Sequence, residues 1–144
     1  MPRPQYHRLV NEPPHYSHFK PAGVKGRDSK KIVLSLDEFE SFRLADQLGY
    51  PHARAAEEMD ISRPTFSRLI ARARKKIADF LILGGVLTIE GGTVHFRMNI
   101  LQCDDCGHQL KVQLTEDISE CPECSSEKML NLAGSFGHGI CCVR

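Results

Sequence analysis

The sequence predicts a chain in two parts: a mainly α N-terminal domain followed by a small β C-terminal domain. Between residues 36 and 80, apolar side chains recur at spacings of three and four, which is typical of helices packed on a core. After residue 102, two Cys-x-x-Cys pairs follow in a segment with one predicted strand, HQLKVQL, which is expected to pair back onto NILQC. A length of 144 residues is sufficient for two small domains of this kind.

Composition divides the chain into four segments. Residues 1–34 form a predicted basic, proline-rich arm, because they contain five of the eight prolines and little helical periodicity. Residues 35–83 form the predicted helical domain, and residues 84–101 form a predicted β-hairpin connector. Residues 102–144 form the cysteine segment.

The hairpin is predicted where VLTIE, a Gly-Gly pair and TVHFR follow one another. Gly91-Gly92 is a favoured two-residue turn because both positions can take positive φ. In that register Ile89 faces Val94 and Leu87 faces Phe96, which gives one apolar face.

The first helix is predicted to start at a capping box, with Ser35 as the N-cap and Glu38 three residues later. Its buried stripe is predicted to be Phe39, Phe42, Ala45 and Leu48, with Gly49 ending the helix. Its acidic side chains are expected to form a solvated face or, alternatively, a partner surface; they are Asp37, Glu38, Glu40 and Asp46.

Two further helices are predicted on either side of a tight turn. The second runs from Pro51 to Met59, the turn lies at Asp60-Ile61, and Ser62 caps the third. The core face of the third helix is predicted to be Phe66, Leu69, Ile70, Ala73, Ile77 and Phe80. This arrangement favours a helix-turn-helix over residues 35–83, and the alternative is a plain three-helix bundle with a basic exposed face.

The exposed face of the third helix carries the candidate DNA-binding residues. Arginine near the N-terminus of such a helix can pair bidentately with guanine in the major groove, and positions further along contact mostly phosphates. The residues predicted to contact bases are Arg63, Thr65, Ser67 and Arg68, and those predicted to hold phosphates are Arg72, Lys75 and Lys76. The basic arm adds Arg3 and Arg8 as predicted minor-groove or backbone contacts.

Charge supports this interpretation locally although the formal net charge is only +1. Residues 61–79 contain six Lys and Arg against one acid, whereas residues 32–60 contain two against seven. A concentrated basic block is typical of phosphate-binding surfaces. On charge alone, a solvated helix face explains the block equally well.

The cysteine segment has the spacing of a metal site. Cys103 and Cys106 form one pair, Cys121 and Cys124 form the other, and fourteen residues separate them. Two such pairs make a tetrahedral site of four thiolates, and the segment resembles a zinc ribbon whose small core needs the metal to fold. Zn²⁺ is the predicted ion, iron in rubredoxin-like knuckles is the rival, and two disulfides are the least favoured alternative.

The tail of the chain leaves several possibilities open. Cys141 and Cys142 are adjacent, and adjacent cysteines do not easily share one tetrahedral ion or form an unstrained disulfide. One alternative is a second metal site that these cysteines share with His138 or His108. The others are a redox sensor, a reactive thiol, and an exposed tail without a defined role. His15 and His18 have ligand-like spacing but are predicted not to be ligands.

Several ordered blocks of the first 92 residues resemble the uncharacterised protein family 0251, also called domain of unknown function 134. The blocks are MPRP at the start, FKPAG at 19–23, LDEFE at 36–40, RLAD at 43–46, AAEEM at 55–59, ISRPTFSRL at 61–69, ARKKIAD at 73–79 and IEGG at 89–92. The helical run within them is also similar to the region-4 helix-turn-helix of sigma factors. The resemblance implies a DNA-binding protein of the kind predicted in bacteria and archaea.

Together these observations predict a sequence-specific DNA-binding protein that regulates transcription, with a structural or sensing zinc module. A homodimer is an expected partner arrangement, because half-sites usually occur in pairs. One alternative is a protein-interaction factor that docks on RNA polymerase or another regulator through the acidic first helix. The other is a rubredoxin-like redox or metal-sensing protein.

Several classes of function are disfavoured by what the sequence lacks. It has no GxSxG, P-loop, HExxH or Rossmann motif, so an enzyme is not predicted. It has neither a long apolar run nor a signal-peptide pattern, so a cytoplasmic protein without membrane contact is expected.

Overall fold

The computed structural model describes residues 7–23, 30–138 and 140–142. The chain divides into two compact units, which we call the helical unit (residues 1–9 and 16–94) and the cysteine unit (residues 10–15 and 95–144). Each described unit contains β-sheet as well as helix, so the fold is mixed α/β. The mainly α N-terminal domain predicted from sequence is therefore too narrow a description, because strands flank its helices.

Four α-helices occur in the described part of the chain. They are α1 (Leu36–Phe42), α2 (His52–Glu58), α3 (Arg63–Leu83) and α4 (Leu132–Ser135). A π-helical turn at Arg43–Gln47 continues α1, and a 3₁₀ turn at Ile140–Cys142 follows α4. None of the helices described has both the length and the apolar character needed to cross a membrane.

The described strands form three small sheets. The strands are β1 (Arg8–Val10), β2 (His18–Phe19), β3 (Lys31–Leu34), β4 (Val86–Ile89), β5 (Val94–Phe96), β6 (Met98–Cys103), β7 (Gln109–Gln113) and β8 (Met129–Asn131). Their orders are β1-β5, β2-β4-β3 and β7-β6-β8. The predicted strand HQLKVQL does pair back onto NILQC: β7 is antiparallel to β6, with Gln109 opposite Gln102.

The predicted hairpin between β4 and β5 is wrong. β4 instead lies between two strands of the N-terminal segment: it is parallel to β3, with Leu34 opposite Ile89, and antiparallel to β2. β5 pairs with β1. The physical reason is that a three-stranded sheet buries β4 from both edges, which an isolated two-stranded hairpin cannot do.

The Gly-Gly pair has the predicted positive φ, but it does not make a hairpin turn. Gly91 and Gly92 have φ of 76° and 99°. The Leu36 N–H donates to Gly91 O at 3.0 Å, so the chain passes close to the start of α1. A Cβ at Gly92 would lie 3.0 Å from Asp37 Oδ1, so a larger residue would be strained by φ and would also crowd this carboxylate.

The N-terminal segment is more than an arm, because it supplies β1, β2 and β3. Arg8, one of the two predicted arm contacts to DNA, donates from Nη1 to Asp37 Oδ2 at 2.6 Å. Arg3, the other, lies outside the described residues.

The first helix starts as predicted, but its buried stripe is different. The Ser35 side chain accepts from Glu38 N and the Glu38 side chain accepts from Ser35 N, so the capping box is confirmed. Phe39, Phe42 and Ala45 are only half-buried, and Leu48 is 44% exposed. The residues that α1 buries are Leu36, Asp37, Glu38, Glu40 and Ser41. The π-helical turn explains part of the shift, since it changes the residue spacing per turn beyond Phe42.

The turn between α2 and α3 is confirmed. Asp60 has φ 55°, and the Ile61 N–H donates to Ala56 O at 3.0 Å. Ser62 caps α3 by accepting from Thr65 N at 3.3 Å. The fully buried positions of α3 are Phe66, Leu69, Ile70 and Ala73, whereas Ile77 and Phe80 are half-buried. Ala55 of α2 is completely buried, so a small side chain lets the helices approach closely.

Candidate functional site

Four thiols of the cysteine unit converge on one point. Cys103 ends β6, Cys106 follows in the next turn, and Cys121 and Cys124 come from the loop before β8. Cys103 Sγ lies 3.5 Å from Cys124 Sγ, and Cys106 Sγ lies 3.6 Å from Cys121 Sγ. All four sulfur atoms lie within 4.8 Å of one another, so the structure brings together the four predicted ligands. We call this group the four-cysteine cluster.

Two loops of matching geometry hold these thiols. In the first, the Gly107 N–H donates to Cys103 O at 3.0 Å; in the second, the Ser125 N–H donates to Cys121 O at 2.8 Å. Gly107 has φ 76° and Ser125 has φ 61°, so each loop closes through a left-handed residue. The first loop also directs the Cys106 N–H at Cys103 Sγ, 3.5 Å away. Equivalent loops on two segments are what a shared tetrahedral site requires.

The cluster fits a metal ion. A tetrahedral zinc ion with Zn–S bonds of about 2.3 Å holds its sulfur ligands about 3.8 Å apart. The observed 3.5 and 3.6 Å are close to that separation and well beyond a disulfide bond. Four protein thiolates fill the coordination sphere, which is typical of a structural rather than a catalytic site.

The thiols of the four-cysteine cluster differ in their pKa values. The backbone N–H of Cys106 lowers the pKa of Cys103 to about 6. The backbone N–H of Ser126 acts in the same direction on Cys124, but the neighbouring Cys103 thiol and burial raise the pKa of Cys124 to about 12. The backbone N–H of His108 also lowers the pKa of Cys106, yet burial and adjacent thiols raise it overall. Of these three thiols, Cys103 is therefore the one that loses its proton most easily, and the thiolate is the form that would hold a metal.

The exposed face of α3 carries a basic stripe. Arg68, Arg72 and Lys75 are exposed and follow one another at spacings of four and three, so they share a face of the helix. That face lies opposite the buried Phe66 and Ala73, given 100° per residue. Arg63 is exposed in the first turn. Among the described residues, the guanidinium groups of Arg68 and Arg72 enter no ion pair.

The hydroxyl residues predicted to contact bases are half-buried and already bonded. Ser67 Oγ lies 2.9 Å from His52 Nδ1, and the His52 ring packs edge-on against Phe66 with centroids 5.3 Å apart. Ser62 Oγ donates to Thr65 Oγ1 at 2.8 Å. These contacts fix the start of α3 against α2.

The two predicted phosphate-binding lysines have different surroundings. Lys75 is exposed and forms a 2.6 Å ion pair with Asp79 one turn along the same helix. Lys76 forms a 2.7 Å ion pair with Glu38 of α1, whose side chain is 5% exposed. Lys75 can exchange its partner for a phosphate at little cost, because exposed helix pairs are weak. Lys76 cannot do so without leaving a buried carboxylate unpaired.

The expected solvated acidic face of α1 is largely wrong. Asp37, Glu38 and Glu40 are 8%, 4% and 2% exposed. Arg8 pairs with Asp37 and Arg43 pairs with Glu40, while Lys76 and the Ser35 cap bond Glu38. Asp46 alone of the four predicted acids is exposed, and it accepts two hydrogen bonds from Arg74 at 2.9 and 3.0 Å. These carboxylates are structural, and α1 offers no broad acidic surface to a partner.

Sequence reasoning missed one histidine. His95 Nδ1 lies 3.5 Å from Cys142 Sγ, although it stands in a strand-like run with no other ligand nearby in sequence. The sequence left open a grouping of the tail cysteines with His138 or His108. Cys141 and Cys142 come together with His95 and His138. His108, the other histidine considered from sequence, is not part of this group.

Comparison with known proteins gives a consistent family. The family described as protein of unknown function DUF134 matches residues 1–97. A UPF0251 protein of Chloroherpeton thalassium is 46% identical over 129 residues, which cover 90% of this chain and 85% of that protein. A UPF0251 protein of Moorella thermoacetica is 39% identical over 142 residues, which cover 98% of this chain and 93% of that protein.

A third relative is also similar over almost the whole chain. A UPF0251 protein of Chlorobaculum tepidum is 41% identical over 145 residues, which cover 96% of this chain and 73% of that protein. No solved structure matches the chain. The family model covers two thirds of the chain and these relatives cover 90% or more of it, and the chain therefore belongs to the UPF0251 (DUF134) family.

Proposed function

We propose that this chain is a sequence-specific DNA-binding protein that regulates transcription, with α2 and α3 forming a helix-turn-helix. The observation that carries the proposal is the basic stripe of α3. Arg68, Arg72 and Lys75 lie on one exposed face, and Arg63 stands at the helix start. An α-helix with this charge fits the major groove of B-form DNA.

The surroundings of α3 favour the same function. The tight turn at Asp60 and the His52–Ser67 contact hold α2 across the start of α3. In a helix-turn-helix the first helix of the pair crosses the DNA backbone while the second enters the groove. In this arrangement α2 supports α3 and α3 enters the groove, and the residues of α3 that would contact DNA remain exposed.

Fewer residues are proposed to contact DNA than the sequence predicts, because some of the predicted ones already bond other residues of the helical unit. Arg63 and Arg68 are the proposed base contacts, and Arg72 and Lys75 are the proposed phosphate contacts. Thr65 and Ser67 are left as supporting residues, since each hydroxyl is already bonded within the helical unit. Lys76 is assigned to the buried pair with Glu38.

The four-cysteine cluster is proposed to be a zinc ribbon with a structural role. The sheet β7-β6-β8 is small, and a core of that size gains much of its stability from a bound ion. Iron in the same geometry is the alternative that corresponds to a redox function. The two are separated directly, because the iron form is coloured and the zinc form is not.

The proposal is tested by selecting bound DNA from a pool of randomised duplexes at low and at physiological salt. A sequence-specific protein enriches one common site, and its binding weakens with salt as counterions are released. Binding without enrichment would leave phosphate contact alone. No binding at low salt would contradict the proposal and favour a protein-interaction factor, the other class of function considered from sequence.

A further inference from the structure

We propose that the cysteine unit holds a second metal ion, of the zinc class, on His95, His138, Cys141 and Cys142. The ligand atoms of these four residues all lie within 4.8 Å of one another. None of them belongs to the four-cysteine cluster, so the two sites would be filled independently. The proposal does not depend on DNA binding.

The separations match a tetrahedral N₂S₂ site. His138 Nδ1 lies 3.4 Å from Cys141 Sγ and 3.5 Å from Cys142 Sγ, and His95 Nδ1 lies 3.5 Å from Cys142 Sγ. The two sulfur atoms are 3.6 Å apart. Zinc bonds of about 2.3 Å to sulfur and about 2.0–2.1 Å to nitrogen place N and S about 3.5 Å apart and the two sulfurs about 3.8 Å apart.

A thiol–imidazole hydrogen bond would account for one of these contacts but not for the convergence of four ligand atoms. The Cys142 sulfur also accepts a hydrogen bond from the backbone N–H of Phe96 at 3.3 Å, so β5 holds this sulfur in position. The group contains no oxygen ligand, so it does not suit calcium or magnesium. Two nitrogens and two sulfurs in a tetrahedron favour zinc.

The chain around His138 is held in place by a buried amide. Asn99 is 3% exposed; its Oδ1 accepts the N–H of Ala133 at 3.0 Å, and its Nδ2 donates to Asn131 Oδ1 at 2.8 Å. Ala133 O in turn accepts the His138 N–H at 2.9 Å. This network docks α4 on β6 and so delivers His138 to the site.

The aromatic packing completes the site from the other side. Phe96 follows His95 in β5, is 2% exposed, and packs its ring edge-on against the His138 ring with centroids 5.1 Å apart. An exposed tail without a defined role does not require a buried aromatic ring to position its histidine. With all four positions taken by protein ligands, the ion would pin the Cys141–Cys142 segment to β5 rather than activate water.

The first test is the zinc content of the full-length protein purified under reducing conditions. We expect about two zinc ions per chain in the wild type, and about one in His138→Ala and in the double variant Cys141→Ser/Cys142→Ser. His18→Ala is the matched control, because the His18 ring is exposed and its hydrogen bond within the described residues is to the Ser17 hydroxyl, and this variant should keep both ions. One zinc in the wild type, or the same content in all these proteins, would overturn the proposal.

A second measurement on the wild type covers the case in which a variant does not fold. X-ray absorption at the zinc edge reports the average ligands per ion. With both sites filled, the average is about three sulfurs and one nitrogen, whereas the four-cysteine cluster alone gives four sulfurs. An all-sulfur shell would exclude the second site while leaving the four-cysteine cluster, and the proposed DNA binding, unaffected.

Discussion

At the scale of single residues, the most consequential feature is a carboxylate that the sequence pattern placed in solvent. Glu38 is 4% exposed and accepts from the Ser35 hydroxyl at 2.8 Å and from Lys76 at 2.7 Å, while its Oε2 has no hydrogen-bond partner among the residues that the structure describes. A buried charge is costly unless it is paired, so Lys76 is needed where it is. This one contact changes a predicted phosphate-binding residue into a structural one.

The lysine pair provides a matched stability test. We expect Lys76→Ala to lower the free energy of unfolding by about 1–3 kcal/mol, because it leaves Glu38 buried and unpaired while Lys76 itself is partly exposed. Lys75→Ala should change it by less than about 0.5 kcal/mol, since the Lys75–Asp79 pair is exposed. Urea unfolding followed by circular dichroism measures both. Equal effects of the two substitutions would show that the Glu38 contact carries no stability.

At the scale of elements, local signals were reliable and non-local pairings were not. The capping box at Ser35, the turn at Asp60 and the cap at Ser62 are encoded within a few residues, and all three are where the sequence indicated. The partners of β4 lie more than fifty residues earlier in the chain, in a proline-rich segment with no strand signal. No short-range pattern distinguishes that pairing from a hairpin with the next strand.

The same limit applies to the candidate metal sites. The four-cysteine cluster was predictable because each pair has ligand spacing within one turn. His95 was not, because its only connection to Cys142 is through the fold. The sequence also contained no sign of the π-helical turn after α1. Because that turn changes the spacing of residues along the helix, the predicted buried stripe through Ala45 and Leu48 was wrong.

The parallel pairing of β3 and β4 predicts an unusually sensitive glycine. Gly85 has φ 102°, and a Cβ there would lie 2.4 Å from Lys30 O, whose carbonyl accepts the Val86 N–H. We expect Gly85→Ala to destabilise the protein by about 3 kcal/mol or more, from the left-handed backbone and the clash together. Gly49→Ala, at φ 71° with open space around it, should cost only about 1–2 kcal/mol. Thermal unfolding of the two variants compares them, and an equal loss would contradict the pairing.

The four-cysteine cluster predicts a pH dependence of metal affinity. Near pH 7 Cys103, with its pKa of about 6, has lost its proton, while Cys106 and Cys124 have raised pKa values and retain theirs. A metal ion must displace those protons, so affinity should rise with pH and fall as acid competes for the same sulfur atoms. Competition with a chromophoric chelator from about pH 6 to pH 8 measures this in the Cys141→Ser/Cys142→Ser background. An affinity independent of pH would argue against thiolate ligation.

At the scale of the whole molecule, the small net charge of +1 conceals a local concentration of positive charge on α3, where residues 61–79 contain six Lys and Arg against one acid. Among the acids of the segment before α3, Asp37, Glu38 and Glu40 are buried and Asp46 is held in an ion pair by Arg74. A polyanion approaching α3 would therefore meet a local field that the whole-chain charge does not indicate.

The end of α3 carries a short run of exposed apolar side chains. Leu81, Ile82 and Leu83 are consecutive and are 73%, 80% and 70% exposed. If the protein binds paired half-sites as a homodimer, we expect Ile82→Glu to yield a monomer in light scattering, because a charge cannot be buried unpaired in an apolar interface. Leu48→Glu, at another exposed leucine of the helical unit, should leave the oligomeric state unchanged. A wild type that is already monomeric would rule the dimer out.

Base contact by α3 is tested most directly with two DNA duplexes, one that carries the selected site and one with a scrambled sequence. The affinities of the wild type, Arg68→Ala and Lys75→Ala are measured for both duplexes. We expect Arg68→Ala to weaken binding to the selected site by about 1–3 kcal/mol and to affect the scrambled duplex much less. Lys75→Ala should weaken both equally and reduce the salt dependence. An equal loss on both duplexes for Arg68→Ala would contradict base contact by α3.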